Sequence, residues 1–201
     1  MAEQSVVTDS FSGGAANPAP APWTAVCGSG IRVVDPGQAR NAATGNQIAL
    51  YNAGTLNAAQ YVKAKAASTG SYSGLACRGT VGPPHYCYMA WFGVGGSGSQ
   101  VYAFTAGTFH DLGYPAGHLA HGIGDTVKMT AEGYNLKGFV KGTQVFSYTD
   151  ATYFLDGTKA GLAPYSQDMD DFEAGNIVAD GYPAGARRAR APYGAKGIQV
   201  I

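Results

Sequence analysis

Glycine and proline break this sequence so often that no long helix can run through it. The 201 residues include 30 glycines and 10 prolines, about one residue in five. Inside a helix, each glycine costs roughly 1 kcal/mol and each proline about 3 kcal/mol. A helical bundle or coiled coil is excluded. The same punctuation suits short strands joined by tight turns, and the length suits one all-β domain. Apolar residues at 45% can build a core, which excludes wholesale disorder. Charged residues are only 13%, well below the usual globular share. A surface so poor in charge is either partly covered by neighbours or made of Tyr, Ser, Thr and Asn.

The zero net charge hides an asymmetry. Residues 178–201 carry Arg187, Arg188, Arg190 and Lys196 against Asp180, while residues 1–177 hold 9 basic and 12 acidic side chains. An acidic body disfavours nucleic acid as the main partner. No apolar run approaches the roughly 20 residues that cross a bilayer, so no membrane partner is expected. The start, Met1-Ala2-Glu3-Gln4-Ser5, lacks the basic and apolar segments of a secretory signal. Three cysteines do not make a disulfide framework.

Period-two alternation and turn residues predict strands near residues 5–11, 31–34, 47–51, 60–66, 74–78, 86–94, 100–105, 125–131, 135–140, 144–148, 161–165 and 170–174. Trp23, alone after Pro22, reads as a plug under the loop of residues 12–22. Residues 55–69 support two readings. Asn57 can cap a helix through the alanine-rich run that follows it. The alternation of Tyr61, Lys63 and Lys65 with Val62, Ala64 and Ala66 instead favours a half-buried strand. Residues 125–148 read as a three-stranded meander. About a dozen strands at this spacing suggest two packed sheets, an antiparallel sandwich over residues 1–177 with an extended arm over residues 178–201.

The order of motifs carries a resemblance. Val7-Thr8-Asp9-Ser10-Phe11 leads to the isolated Trp23, followed by Gln60-Tyr61-Val62-Lys63-Ala64-Lys65 and Tyr72-Ser73-Gly74-Leu75-Ala76-Cys77-Arg78. Then come Gly124-Asp125-Thr126-Val127-Lys128-Met129 and Asn135-Leu136-Lys137-Gly138-Phe139-Val140-Lys141-Gly142-Thr143. Gly161-Leu162-Ala163 and Asp170-Asp171-Phe172-Glu173-Ala174-Gly175 close the body. Over residues 5–177 the chain resembles the concanavalin A-like (laminin-G-like) jelly rolls, especially those of bacteriophage tail and capsid-surface proteins. The resemblance implies that the first and last strands pair. It also implies a non-enzymatic virion protein, assembled in the host cytoplasm and homo-oligomeric on the particle. Capsid or tail proteins would be its partners and a host-surface glycan its candidate ligand. The alternative is a carbohydrate-binding module or glucanase-like enzyme acting on bacterial polysaccharide.

Candidate sites follow from residue chemistry. In the strand Tyr86-Cys87-Tyr88-Met89-Ala90-Trp91-Phe92 both faces are apolar, with Tyr86, Tyr88 and Phe92 on one and Met89 and Trp91 on the other. With Tyr102 and Phe104 of the next strand, Tyr86, Tyr88 and Phe92 make a candidate surface for sugar rings or a protein partner. Asp168, Asp170 and Glu173 have the spacing of a glucanase's carboxylates, but Asp stands in the first position and the cluster lies at the end of the body. A closing strand with outward acids is the expectation. His110, His118 and His121 sit among glycines without a fourth ligand, so no metal or cofactor is expected. Cys77 and Cys87, on either side of a turn, are expected as buried thiols able to face each other; Cys27 has no evident partner. Arg187, Arg188, Arg190, Tyr193, Ile198, Val200 and Ile201 read as a docking arm, because an apolar β-prone end invites strand addition to another chain.

Overall fold

The structure, a computed structural model, describes residues 1–34, 37–93, 98–113, 119–150, 152–153 and 155–178. These residues form strands and no helix: β1 (Ala2–Asp9), β2 (Trp23–Cys27), β3 (Ile31–Val34), β4 (Gln38–Asn41), β5 (Ile48–Tyr51), β6 (Gln60–Ala66), β7 (Tyr72–Thr80), β8 (Tyr86–Gly93), β9 (Gln100–Thr105), β10 (Thr108–Gly113), β11 (Thr126–Glu132), β12 (Asn135–Val140), β13 (Thr143–Thr149), β14 (Lys159–Leu162) and β15 (Met169–Val178). An eight-stranded sheet runs β13-β12-β11-β6-β15-β4-β3, with β1 also beside β15; a seven-stranded sheet runs β10-β9-β8-β7-β14-β5-β2. Both are antiparallel and curl against each other as a jelly-roll sandwich.

Side-chain alternation builds the interior. On β6, Val62, Ala64 and Ala66 are buried while Lys65 is exposed, and the strand lies between β15 and β11. The helical reading of residues 55–69 is therefore replaced by a central strand. A helix would have put Lys63 and Lys65 on different sides, whereas the pleat keeps both lysines on the wet face. The expected meander is β11-β12-β13, with Val127 opposite Val140 and Ala131 opposite Leu136. Across the sandwich, Phe92 stacks on Phe146 with ring centres 5.9 Å apart, and Cys77 Sγ lies 3.7 Å from Met129 Sδ.

The first strand pairs with the last, from Ala2 opposite Val178 to Asp9 opposite Phe172. Where β1 ends, the Asp9 carboxylate accepts from the Phe11 N–H and from the Trp23 indole N–H, both at 2.7 Å. Trp23 is thus not a lone plug. It opens β2 and packs against Phe11, Tyr51 and Phe172. The strands absent from the sequence expectation are β4 and β10 as well. Gln38-Ala39-Arg40-Asn41 has a single apolar residue, yet Ala39 is fully buried between Val33 and Met169. β10 returns from β9 through Ala106 and Gly107, both at positive φ. Position 94, His118 and the whole proposed arm, from Arg187, Arg188 and Arg190 to Tyr193, Ile198, Val200 and Ile201, lie outside the described residues.

Candidate functional site

The pleat of β8 sorts its aromatic residues between two environments. Tyr88, Ala90 and Phe92 point into the space between the sheets, whereas Cys87, Met89 and Trp91 belong to a second apolar cluster on the opposite face. Register fixes their neighbours: Met89 is opposite Tyr102, Cys87 opposite Phe104 and Trp91 opposite Gln100. Paired residues share a face, so Tyr102 and Phe104 extend the Trp91 side. The surface expected from Tyr86, Tyr88, Phe92, Tyr102 and Phe104 is therefore corrected. Tyr88 and Phe92 are interior, and Tyr86 packs at the edge of that interior, its hydroxyl donating to Asp156 at 3.2 Å. The Tyr88 hydroxyl donates to the buried Asp150 carboxylate, and burial is the first cause pushing its pKa upward.

What gathers on the outer face of the seven-stranded sheet is a row of rings. Tyr165 reaches it through an isolated bridge to Tyr72. From Tyr165 the ring centres step 5.3 Å to Trp91, 5.3 Å to Tyr102 and 6.2 Å to Phe109. Tyr72 flanks Trp91 at 6.0 Å, and Phe104 lies 4.9 Å from Phe109. Glycine and alanine make this possible. A β-carbon at Gly74 would lie 1.8 Å from the Ala163 carbonyl oxygen and 2.8 Å from the Trp91 ring. The bare backbone lets the indole lie across β7 and donate to that carbonyl at 2.8 Å. Trp91 and Phe104 form the buried floor, Tyr72, Tyr102 and Phe109 are half-buried, and Tyr165 is 36% exposed.

A polar relay runs along one side of the row. The Tyr102 hydroxyl donates to Gln100 Oε1 at 2.7 Å, and Gln100 Nε2 donates to the Tyr72 hydroxyl at 3.4 Å. Among the described residues nothing accepts the Tyr72 hydroxyl proton, so a bound acceptor can take it. Rings for apolar faces beside hydroxyl and amide groups for polar edges are the chemistry that holds sugars. Sequence reasoning missed Tyr72, Tyr165 and Phe109; the Trp91 parity was the available signal.

The outer face of the eight-stranded sheet is different: it is charged and internally neutralised. Lys63 pairs with Glu173 at 3.1 Å, Lys65 with Asp171 at 2.6 Å and Lys128 with Glu3 at 2.7 Å. A furrow of about 600 Å³ crosses this face over Ser10, Lys63, Lys65, Thr126, Asp171 and Glu173. The glucanase-like carboxylates are each engaged here. Asp168 is buried and takes a bidentate pair from Arg40. Asp170 accepts from the Asp171 N–H at 2.7 Å. Glu173 accepts from the Tyr61 hydroxyl at 2.5 Å, and burial, then Glu173, pushes that phenol's pKa upward. A bulge between Asp170 and Glu173, with Asp171 at positive φ, turns Phe172 inward and Glu173 outward.

His121 and His110 pack against polar and aromatic neighbours. His121 is buried beside Ser73, its Nε2 2.9 Å from the serine hydroxyl oxygen. Gln167 spends its amide N–H on Ser68 and accepts the Ser73 proton at 2.6 Å, so His121 Nε2 must be the donor. Burial lowers the His121 pKa, with Gln167 and Asp125 opposing. His110 contacts Thr105 at 2.8 Å and stacks on Tyr153. No group of three metal-ligating side chains occurs among the described residues. Cys77 and Cys87 are buried free thiols, but they lie on opposite faces of the seven-stranded sheet rather than facing each other, because Cys77 pairs with Tyr88. Burial pushes the Cys77 thiol up to about 12.

The sequence matches no protein-family model and no curated protein sequence. Its fold is shared with solved structures. One is a protein of unknown function with a galectin-like fold from Bacillus subtilis, at TM-score 0.61 and 9% identity over 87% of this chain and 98% of that one. Carbohydrate-binding module CBM66 from Bacillus subtilis aligns at TM-score 0.57 and 18% identity, over 77% of this chain and 92% of the module. A prokaryotic β-1,3-1,4-glucanase (lichenase) derived from a mouse hindgut metagenome aligns at TM-score 0.52 and 13% identity, over 86% and 99%. At these identities the likeness is one of fold: the galectin-like, concanavalin A-like sandwich.

Proposed function

We propose that this chain is a non-catalytic glycan-binding module that holds sugar on the outer face of its seven-stranded sheet. The observation that carries the reading is the ring row Tyr165–Trp91–Tyr102–Phe109 with the Tyr102–Gln100–Tyr72 relay beside it. Carbohydrate-binding and carbohydrate-cleaving proteins among the structures of this fold support the sugar. The occupied state of Asp168 and Glu173 supports binding without hydrolysis, since a general acid and a nucleophile must reach substrate.

The test is calorimetric titration against soluble β-glucan, mannan, galactan and fructan, with reducing-sugar release measured in parallel. Binding without release is expected. Tyr165→Ala, at the exposed end of the row, weakens affinity about tenfold or more with little change in Tm. Release that disappears in Asp170→Asn and Glu173→Gln would make the chain a glucanase-like enzyme and overturn the reading.

The setting we propose is a tailed-phage particle. There the module is displayed by capsid or tail proteins, in several copies, and meets glycans of the host surface. The motif order of residues 5–177 and the basic, apolar-ended arm of residues 178–201 support it.

A further inference from the structure

The ring row is tilted rather than flat, and its tilt selects the physical form of the sugar. Trp91 is inclined 51° to Tyr165 and 66° to Tyr102, and Tyr102 stands at 89° to Phe109. No two consecutive rings of the row share a plane. A crystalline polysaccharide offers a flat sheet of sugar rings, which only coplanar aromatic rings can meet together. A single chain in solution twists from residue to residue and can lay successive faces and edges against inclined rings. The steps of 5.3 to 6.2 Å follow from one ring per strand across β8, β9 and β10. That spacing is close to the length of one pyranose residue along an extended chain.

Charge narrows the class. On β8, β9 and β10 the outward side chains are Cys87, Met89, Trp91, Gln100, Tyr102, Phe104, Phe109 and Asp111, and Asp111, exposed opposite Tyr102, is the charged one. An acidic polysaccharide would meet a carboxylate and no cation on these strands. Lys63, Lys65 and Lys128, which would attract it, lie on the other sheet and are already paired, and Lys159 of β14 is held by the carbonyls of Asn52 and Gly54.

Resting on the glycan-binding reading above, we infer that the site takes a single, soluble, uncharged glycan chain spanning several residues, and refuses both crystalline polymer faces and acidic polysaccharides. The Tyr72 hydroxyl supplies a directed donor to one sugar oxygen along the chain.

The experiment uses the full chain and three kinds of probe. The first is an oligosaccharide ladder of two to six residues from whichever neutral polysaccharide of the panel binds. The second is microcrystalline cellulose and crystalline chitin in sedimentation assays. The third is alginate and hyaluronan. Affinity is expected to climb with length and level off at about four residues, the span of the row from Tyr165 to Phe109. The crystalline and acidic probes should leave the protein in the supernatant and unshifted. Tyr72→Phe should weaken the longest oligosaccharide about tenfold at unchanged Tm. Capture by crystalline polymer, tight binding of alginate, or full affinity for a disaccharide overturns the inference while leaving glycan binding intact. Silence against every probe overturns both. Self-association that buries Tyr165 in the absence of sugar would give the row to a second copy and also overturn it.

Discussion

Arg78 holds more of this fold than its place in an apolar strand suggests. It is buried at positive φ, and its guanidinium donates to the carbonyls of Ala58, Gly133 and Leu155. Its backbone N–H donates to Gln60 Oε1 at 2.9 Å. One planar fork therefore ties three loops to β7. Arg78→Met should cost on the order of 3 kcal/mol in urea unfolding, because three carbonyls lose a charged donor at once. Arg78→Lys should recover little of that loss, since an ammonium cannot span the three.

His121 makes stability depend on pH. Its folded pKa is lowered by burial, so the unfolded chain binds the proton first as pH falls. Stability should be level above the ordinary histidine value of about 6.5 and decline below it until the folded pKa is passed. Comparing Tm at pH 7.5 and 5.5 should show a larger drop in the parent than in His121→Gln, which keeps a donor for Ser73 but does not titrate. Equal drops would remove His121 as the cause.

At the scale of elements, Gly138 shows how a strand makes room for its neighbour's ring. A β-carbon there would lie 2.0 Å from Phe146, the ring that stacks on Phe92 across the sandwich. Gly138→Ala should destabilise by about 1–3 kcal/mol in denaturant titration. Phe146→Leu should cost less in that background than alone, because the smaller side chain relieves the crowding.

Elements of this kind were legible in the sequence where alternation was clean. Residues 31–34, 100–105 and 135–140 match β3, β9 and β12, while residues 60–66, open to a helical reading, form β6. β4 was not, since a strand whose one apolar residue is Ala39 has no pattern to read. The candidate site was half legible for a related reason. Parity separates Trp91 from Tyr88 along one strand, but only register decides which of the two Tyr102 joins. Register depends on the turn between β8 and β9, and Tyr165 arrives from sixty residues further along the chain.

For the whole molecule, the two outer faces divide the labour of the surface. Lysines and acids collect in pairs on the eight-stranded sheet, whereas β8, β9 and β10 of the seven-stranded sheet carry Asp111 as their one acid and no lysine or arginine. The low overall charge is therefore concentrated away from the ring row. If residues 182–201 serve only as a docking arm, removing them should leave Tm and sugar binding unchanged. If the arm docks the module, the truncated chain should be missing from purified particles in a gel of their proteins, whereas full occupancy would dismiss the arm.

The pairing of Ala2 with Val178 has a geometric sequel. Anything joined to either end of the body departs from one corner of the lysine-bearing side. Copies rooted through that corner, on a bead, a fusion partner or a shell, would all turn their rings the same way. Weak individual grips on one long polymer then add by proximity instead of competing for orientation.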